Sequence, residues 1–131
     1  MSDGLSASIT APNGSAQKML INKALTVSSI KPEDVDYIEA HGTGTALGDP
    51  IEVGALAEVF ADSRLELHPL MIGSVKANIG HLEGAAGIAS LIKAVLVLCQ
   101  ERIPPNAALE TLNPLIEKII KSHHFPVKFP T

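Results

Sequence analysis

The sequence predicts an α/β protein built on a mostly parallel sheet with flanking and buried helices. Three observations carry this expectation. Short strand-like segments alternate three times with helical periodicities, the order of successive βα units joined by right-handed crossovers. The segment from about Gly84 to Gln100 is apolar nearly all round, the pattern of a helix enclosed on most sides. The stretch HGTGTALGDP, residues 41–50, stands at the carboxyl end of a predicted strand, where open parallel sheets gather their ligands.

Taken in order, SASITA (6–11) alternates and is β-branched at Ile9 and Thr10, so it reads as a strand closed by the turn signal Pro12-Asn13-Gly14. From Ser15 to Val27 the apolar residues Ala16, Met19, Leu20, Ala24 and Val27 recur on one helical face. Lys31-Pro32-Glu33-Asp34 interrupts, and VDYIEA (35–40) reads as a second strand ending on His41. Asp49 is expected to cap the next helix with Pro50 in its first position, where a missing N–H costs nothing. LMIGSV (70–75) is the third strand, and residues 76–81 leave it as a loop. After the apolar helix, prolines at 104, 105, 114, 126 and 130 leave room for one short helix near Leu115–Lys121 in a mostly irregular tail.

The chain of 131 residues is long enough for one core and too short for two full domains. Its 46% hydrophobic content is high for so small a body, so some faces are expected to be covered by another piece of protein. A net charge of −4 with thinly spread Lys and Arg argues against a nucleic-acid footprint. The lone Cys99 excludes an internal disulfide and, with no charged-then-apolar leader, points to a reducing, cytoplasmic setting. The strongly apolar run Ile88–Cys99, broken by Lys93, is short for a bilayer span, so no membrane role is expected.

His41 and His81 follow strands that one crossover helix joins, and paired parallel strands lie about 4.8 Å apart, so both imidazoles should face one cleft. Two neutral imidazoles there suit a reaction that develops negative charge on oxygen, each Nε2–H being a donor and each ring a proton carrier near neutral pH. The ammonium of Lys76 is placed to orient the neighbouring histidine and bias the local field. Thr43 and Thr45, two apart beside Gly42 and Gly44, present hydroxyls to a long polar ligand arm lying against the glycine backbone.

HGTGTALGDPIE, GSVKANIGHLEGAAG and the flanking ITAPNG and RIPPNAALETLNP resemble, in order and spacing, the C-terminal half of β-ketoacyl synthases, most closely the ketosynthase domains of type I polyketide synthases. The resemblance spans nearly the whole chain and implies a single partial domain of thiolase-like fold, with a strand and helix core over about 1–103 and a proline-rich tail over 104–131. It implies decarboxylative Claisen condensation of an acyl thioester with malonyl carried on an acyl carrier protein. His41 and His81 match the family's two catalytic histidines, Lys76 the lysine supporting the second, and Thr43 and Thr45 the threonines that hold the carrier's phosphopantetheine arm. No cofactor is expected to be bound by the segment itself. The implied partners are the acyl carrier protein and the N-terminal half of the ketosynthase, in a homodimeric parent enzyme. The family's nucleophile lies in a Cys-Ser motif before the first histidine, and these residues contain neither that motif nor the glycine-rich phenylalanine strand usual beyond the tail. The segment is therefore expected to be inactive alone. Fatty-acid relatives place a glutamate where Ser90 stands, which leaves the carboxylate partner of Lys76 open.

Plainer readings compete. Cys99 near the end of an apolar helix reads as a small buried hydrophobe with nothing nearby to lower its pKa. Glu83 serves equally as first-turn charge. His68, His123 and His124 fall in connector or tail and are expected to be solvent-exposed. GAAG (84–87) reads as close helix packing, no GxxxxGK motif is present for a nucleotide, and the histidines lack metal-ligand spacing. As a function of a different class, the chain reads as a non-catalytic carrier-binding or assembly fragment. As an excised piece with no separate function, it would self-associate through exposed apolar faces.

Overall fold

A computed structural model of the chain describes residues 12–131 except Ala108. The expected strand at 6–11 lies outside the described residues. Asn13 opens the first helix, α1 (Gly14–Ser28), by accepting the Ala16 N–H on its side chain at 3.0 Å, and Ser29 closes it in the left-handed conformation. A short turn of 3₁₀ helix leads to β1 (Tyr37–Glu39), then α2 (Gly48–Phe60), β2 (Leu70–Gly73), α3 (Lys76–Ile79), α4 (Ala86–Gln100), α5 (Pro114–Ser122) and β3 (Val127–Lys128).

Among the described residues three strands form a parallel sheet in the order β1-β2-β3, with Tyr37 opposite Met71, Ile38 opposite Ile72 and Glu39 opposite Gly73. Alternation sends Leu70 and Ile72 to one face, where they meet Leu56, Ala57 and Phe60 of α2 in the buried core. Phe60 and Leu70 are 1% and 0% exposed. Ile21 and Leu25 of α1 and Ile119 of α5 close that core from either side of α2. The opposite face carries Tyr37, Glu39 and Gly73, and there α4 sends Lys93 down onto the sheet. A side chain at Gly73 would come within 2.8 Å of the Tyr37 hydroxyl and 3.3 Å of Lys93 Nζ, so this position has room only for hydrogen.

Several elements differ from the sequence expectation. The tail is ordered: α5 matches the short helix expected there, but Val127–Lys128 adds a strand to the sheet edge. Two residues paired through so short a ladder give no alternation to read, so the pattern was invisible in the sequence. Residues 76–79 form a helical turn rather than loop. The helix at 48–60 starts one residue before Asp49, so Pro50 is not its first residue and Asp49 is not its cap.

The largest departure is α4. Ile88, Leu91, Ile92, Val95, Leu96 and Leu98 are 49–78% exposed, and only Ala86 and Lys93 are buried. The sheet offers this helix one face and the described residues offer no further layer, so each of these side chains forgoes on the order of 1 kcal/mol of burial. Cys99 at its end is exposed too, not a buried hydrophobe. Residues Glu83–Gln100, with mean hydropathy 1.4 over 18 residues, are long and apolar enough by length and composition to cross a membrane, more than the broken run at 88–99 suggested. The buried charge of Lys93, paired on a strand, fixes this helix instead as a layer packed on the sheet.

Tyr37 gives this second face a direct readout. Burial, then the hydrogen bond it donates to Glu39, then the charge of Glu39, push its phenol far above the ordinary value of 10.0. A folded-state pKa above the unfolded one contributes stability that is complete below pH 10.0 and is lost as pH rises beyond it. Tyr37 is the sole tyrosine. Alkaline titration followed by tyrosinate absorbance is therefore expected to show phenolate only as circular dichroism reports unfolding; free titration of the native chain near pH 10.0 contradicts this placement.

Candidate functional site

The site is built where β1 and β2 end side by side. Ala40 extends the ladder one step beyond β1 by donating its N–H to Gly73 O at 2.7 Å, which delivers His41 directly after the last paired residue. The chain then turns through the glycine-threonine loop, and α2 holds that loop with its own carboxylates. Glu52 accepts the His41 N–H on Oε1 at 2.7 Å and the Gly42 N–H on Oε2 at 2.9 Å. Asp49 accepts the Gly44 N–H with both oxygens, at 3.2 and 3.1 Å. Asp49 and Glu52 are three residues apart and so share one face of the helix, near its N-terminus, where negative charge is favoured. The acidic residues of GDPIE thus serve the backbone of HGTGT in the same motif.

Gly42 is required by geometry. Its φ of +47° is left-handed, and a Cβ there would fall 2.8 Å from Cβ of Ser74. The two strand ends therefore approach to contact. Ser74 is buried, and its N–H is taken by Oδ1 of Asn106 at 2.9 Å. Asn106, itself 8% exposed, also donates its amide to Pro130 O at 3.2 Å, tying the tail to the end of β2.

From Ser74 the chain passes through α3 and Gly80 to His81. The rings of His41 and His81 stand 5.9 Å apart between centroids, edge to face at 90°. His81 Nδ1 accepts the backbone N–H of Glu83 at 2.8 Å. An acceptor nitrogen carries no proton, so the neutral ring holds its hydrogen on Nε2 and presents a donor there. It is thus the backbone of Glu83, held at a left-handed φ of 49°, that meets the histidine, and not its carboxylate.

The cleft alongside has a volume of about 510 Å³, and His81, Lys76, Thr43 and Thr45 all line it. His41, expected to face the same cleft, is not among its lining residues and reaches it only through its ring contact with His81. The hydroxyls of Thr43 and Thr45 lie 3.5 Å apart, and Thr45 Oγ1 also accepts the Gly48 N–H at 3.1 Å, which leaves its own O–H free to donate. Among the described residues the Lys76 ammonium makes no hydrogen bond or ion pair, and the orientation expected of it for His81 comes instead from Glu83 N–H. His68, His123 and His124 are exposed and distant in role, His123 bonding only within its own helix end. No group of metal-binding side chains occurs among the described residues.

Sequence reasoning missed Glu52, Asn106, Glu39 and Lys93. A carboxylate following Gly-Asp-Pro at helical spacing was a visible signal for Glu52. Asn106 carried only its place after two prolines, and Glu39 and Lys93 are 54 positions apart (93 − 39) with nothing local to join them.

Comparison with known proteins agrees on one family. The family model described as "Beta-ketoacyl synthase, C-terminal domain" matches residues 1–110. The chain is 54% identical over 114 residues to a phenolphthiocerol/phthiocerol polyketide synthase protein of Mycobacterium tuberculosis, covering 87% of this chain and 6% of that protein. It is 50% identical over 130 residues to a highly reducing polyketide synthase of Pyricularia oryzae, covering 99% and 4%. Among solved structures, an oxazolomycin ketosynthase domain from Streptomyces albus matches with a TM-score of 0.88 and 38% identity, covering 99% of this chain and 22% of that one. The ketosynthase from module 6 of the Bacillus subtilis bacillaene synthase matches with a TM-score of 0.85 and 36% identity, covering 100% and 24%. The chain therefore spans under a quarter of these solved ketosynthases and a few per cent of the curated relatives it matches. The thiolase-like fold implied by the sequence is the fold of these neighbours.

The loop's dependence on α2 is directly testable. Glu52→Ala strands the N–H groups of His41 and Gly42 and is expected to destabilise the chain by about 1–3 kcal/mol, with faster amide exchange at both residues. Glu52→Gln, keeping one acceptor oxygen, should fall between the two. Unchanged thermal stability and exchange in Glu52→Ala would show that the loop is held by something else.

Proposed function

This chain belongs to the C-terminal domain family of β-ketoacyl synthases, and on that footing we propose that it supplies the two-histidine half of a polyketide-synthase ketosynthase, a transferase that performs decarboxylative Claisen condensation. The observation that carries the reading is the facing pair His41 and His81, with the proton of neutral His81 directed to Nε2 by Glu83 N–H.

In this reading malonyl arrives as a thioester on the phosphopantetheine arm of an acyl carrier protein. Its carboxylate leaves as carbon dioxide, and the electron pair of the broken C–C bond forms an enolate whose negative charge falls on the thioester oxygen. The Nε2–H groups of His41 and His81 donate to that oxygen. The enolate carbon then attacks the carbonyl of an acyl group held on a cysteine of the N-terminal half, and the tetrahedral intermediate collapses with loss of the cysteine thiolate. Preorganised donors suit both steps because they need no reorganisation as charge develops. Lys76, unpaired beside the cleft, adds a positive field for the same anions. Thr43 and Thr45 hold the arm through their hydroxyls, which line the cleft two residues beyond His41 and onward.

The remaining three quarters of the solved ketosynthase length accounts for the bare face of α4, which we assign to contact with the nucleophile-bearing half. The same exposed face favours a second reading, a non-catalytic assembly or carrier-binding fragment. The two readings separate in one assay. Combined with the N-terminal half, the chain is expected to form condensation product with malonyl carrier protein, and His81→Ala or His41→Ala should each lower kcat about 10²–10³-fold. Thr43→Val should raise KM for the carrier with little change in kcat. Undiminished turnover in both histidine variants would exclude the catalytic reading. Saturable carrier binding without any turnover would support the assembly reading.

A further inference from the structure

Behind the two histidines lies a buried ion pair with no part in the reaction as proposed. Lys93 Nζ stands 3.0 Å from Glu39 Oε2, with the two side chains 9% and 7% exposed. The contact lies outside hydrogen-bond geometry at the ammonium, so charge rather than a directed bond holds it, and the ammonium also sits 5.8 Å from the centre of the Tyr37 ring. Burying two charges is a poor route to stability, since well-packed apolar residues of the same size are often as good or better. The pair is better explained by what Glu39 touches.

The structure assigns Glu39 and Lys93 a positioning role: together they fix the segment bearing His81 against the strand bearing His41. Glu39 is two residues before His41 on β1. Its Oε2 is taken by Lys93 and by the Tyr37 hydroxyl, which leaves Oε1 aimed at the N–H of Val75, the residue that opens α3 on the way to His81. Lys93 belongs to α4, and the turn running into α4 contains Glu83, whose N–H sets the His81 ring. One carboxylate therefore joins three pieces: the strand of the first histidine, the approach to the second, and the helix whose leading turn orients that second ring. Gly73, bare of a side chain, leaves the space through which Lys93 reaches it. Both side chains are buried within the fold, whereas His41 and His81 are exposed, so each acts through the histidines and not on substrate.

This inference rests on the proposed two-histidine site, and the test keeps the two apart. In the chain combined with its N-terminal half, Glu39→Gln replaces one acceptor oxygen by an amide, so the side chain can no longer accept from Val75 while facing Lys93. The expected result is a kcat about tenfold lower with KM for malonyl carrier protein within about twofold, together with a lower thermal midpoint, because the Lys93 charge is left buried without its counter-charge. The apolar pair Glu39→Leu with Lys93→Met removes the anchor without leaving a buried charge, and kcat should fall about 100-fold in a folded protein, the penalty of misplacing reacting groups by about 1 Å. A folded Leu/Met variant with kcat within about twofold of the parent overturns the assignment, as does loss of folding in both variants, which would make the pair a support of the fold alone. His41→Ala and His81→Ala run alongside: if these retain turnover, it is the reading of the site that fails; if they lose it while both pair variants keep it, only the positioning role fails.

Discussion

The structure depends on one pairing, the parallel register of β1 on β2. With Glu39 opposite Gly73 and Ala40 bonded on to Gly73 O, the two chains leave the sheet at the same level and in the same direction. Everything chemical follows from that level exit. Strands in one register about 4.8 Å apart bring the residues just beyond them within side-chain reach, and the rings meet at 5.9 Å. An antiparallel or slipped pairing would send one histidine to the far end of the sheet or the other face.

Parallel pairing alone does not hold rings still, because both segments beyond the sheet are loop or short helix. The chain solves this by saturating loop amides with carboxylates and carbonyl-type acceptors from neighbouring elements. Glu52 and Asp49 of α2 take three N–H groups of the first loop, Asn106 takes the N–H of Ser74, and Glu39 that of Val75. Glu52, Asp49 and Glu39 belong to elements packed on the sheet, and Asn106, in the connection between α4 and α5, is itself buried and tied to Ile72 O and Pro130 O, so loop position is inherited from the core. His81 Nε2, the Lys76 ammonium and the Thr43 hydroxyl have no such duties and line the cleft, and in the proposed reading they are the groups offered to a substrate.

How much of this was legible in the sequence divides along local and long-range lines. A strand delivering His41, the helices expected at 15–27 and about 84–100, the short one near 115–121, and the meeting of the two histidines followed from periodicity, the proline positions and the crossover rule. The third strand, however, ends at Gly73 and not at the expected Val75. The motif pattern also carried the family. What the sequence did not reveal needed contacts across the chain: β3 pairs over two residues only, Asn106 bridges 32 positions to Ser74, and Lys93 finds Glu39 from another element. The capping role given to Asp49 failed because its carboxylate found the Gly44 amide instead, a competition that local propensity does not register. The burial expected of α4 failed for a different reason. Its all-round apolar pattern records the layers of a larger fold, while these residues provide only the sheet and Lys93's partner on one side.

The central claim, that His41 and His81 face each other with the second ring's proton on Nε2, is accessible to long-range ¹H–¹⁵N correlation spectra of histidine-labelled chain combined with its N-terminal half, recorded where the rings are neutral and assigned by single substitution. The account predicts an Nε2–H tautomer for His81 and cross-relaxation between ring protons of the two histidines. An Nδ1–H tautomer for His81, or no cross-relaxation between the rings, would contradict it.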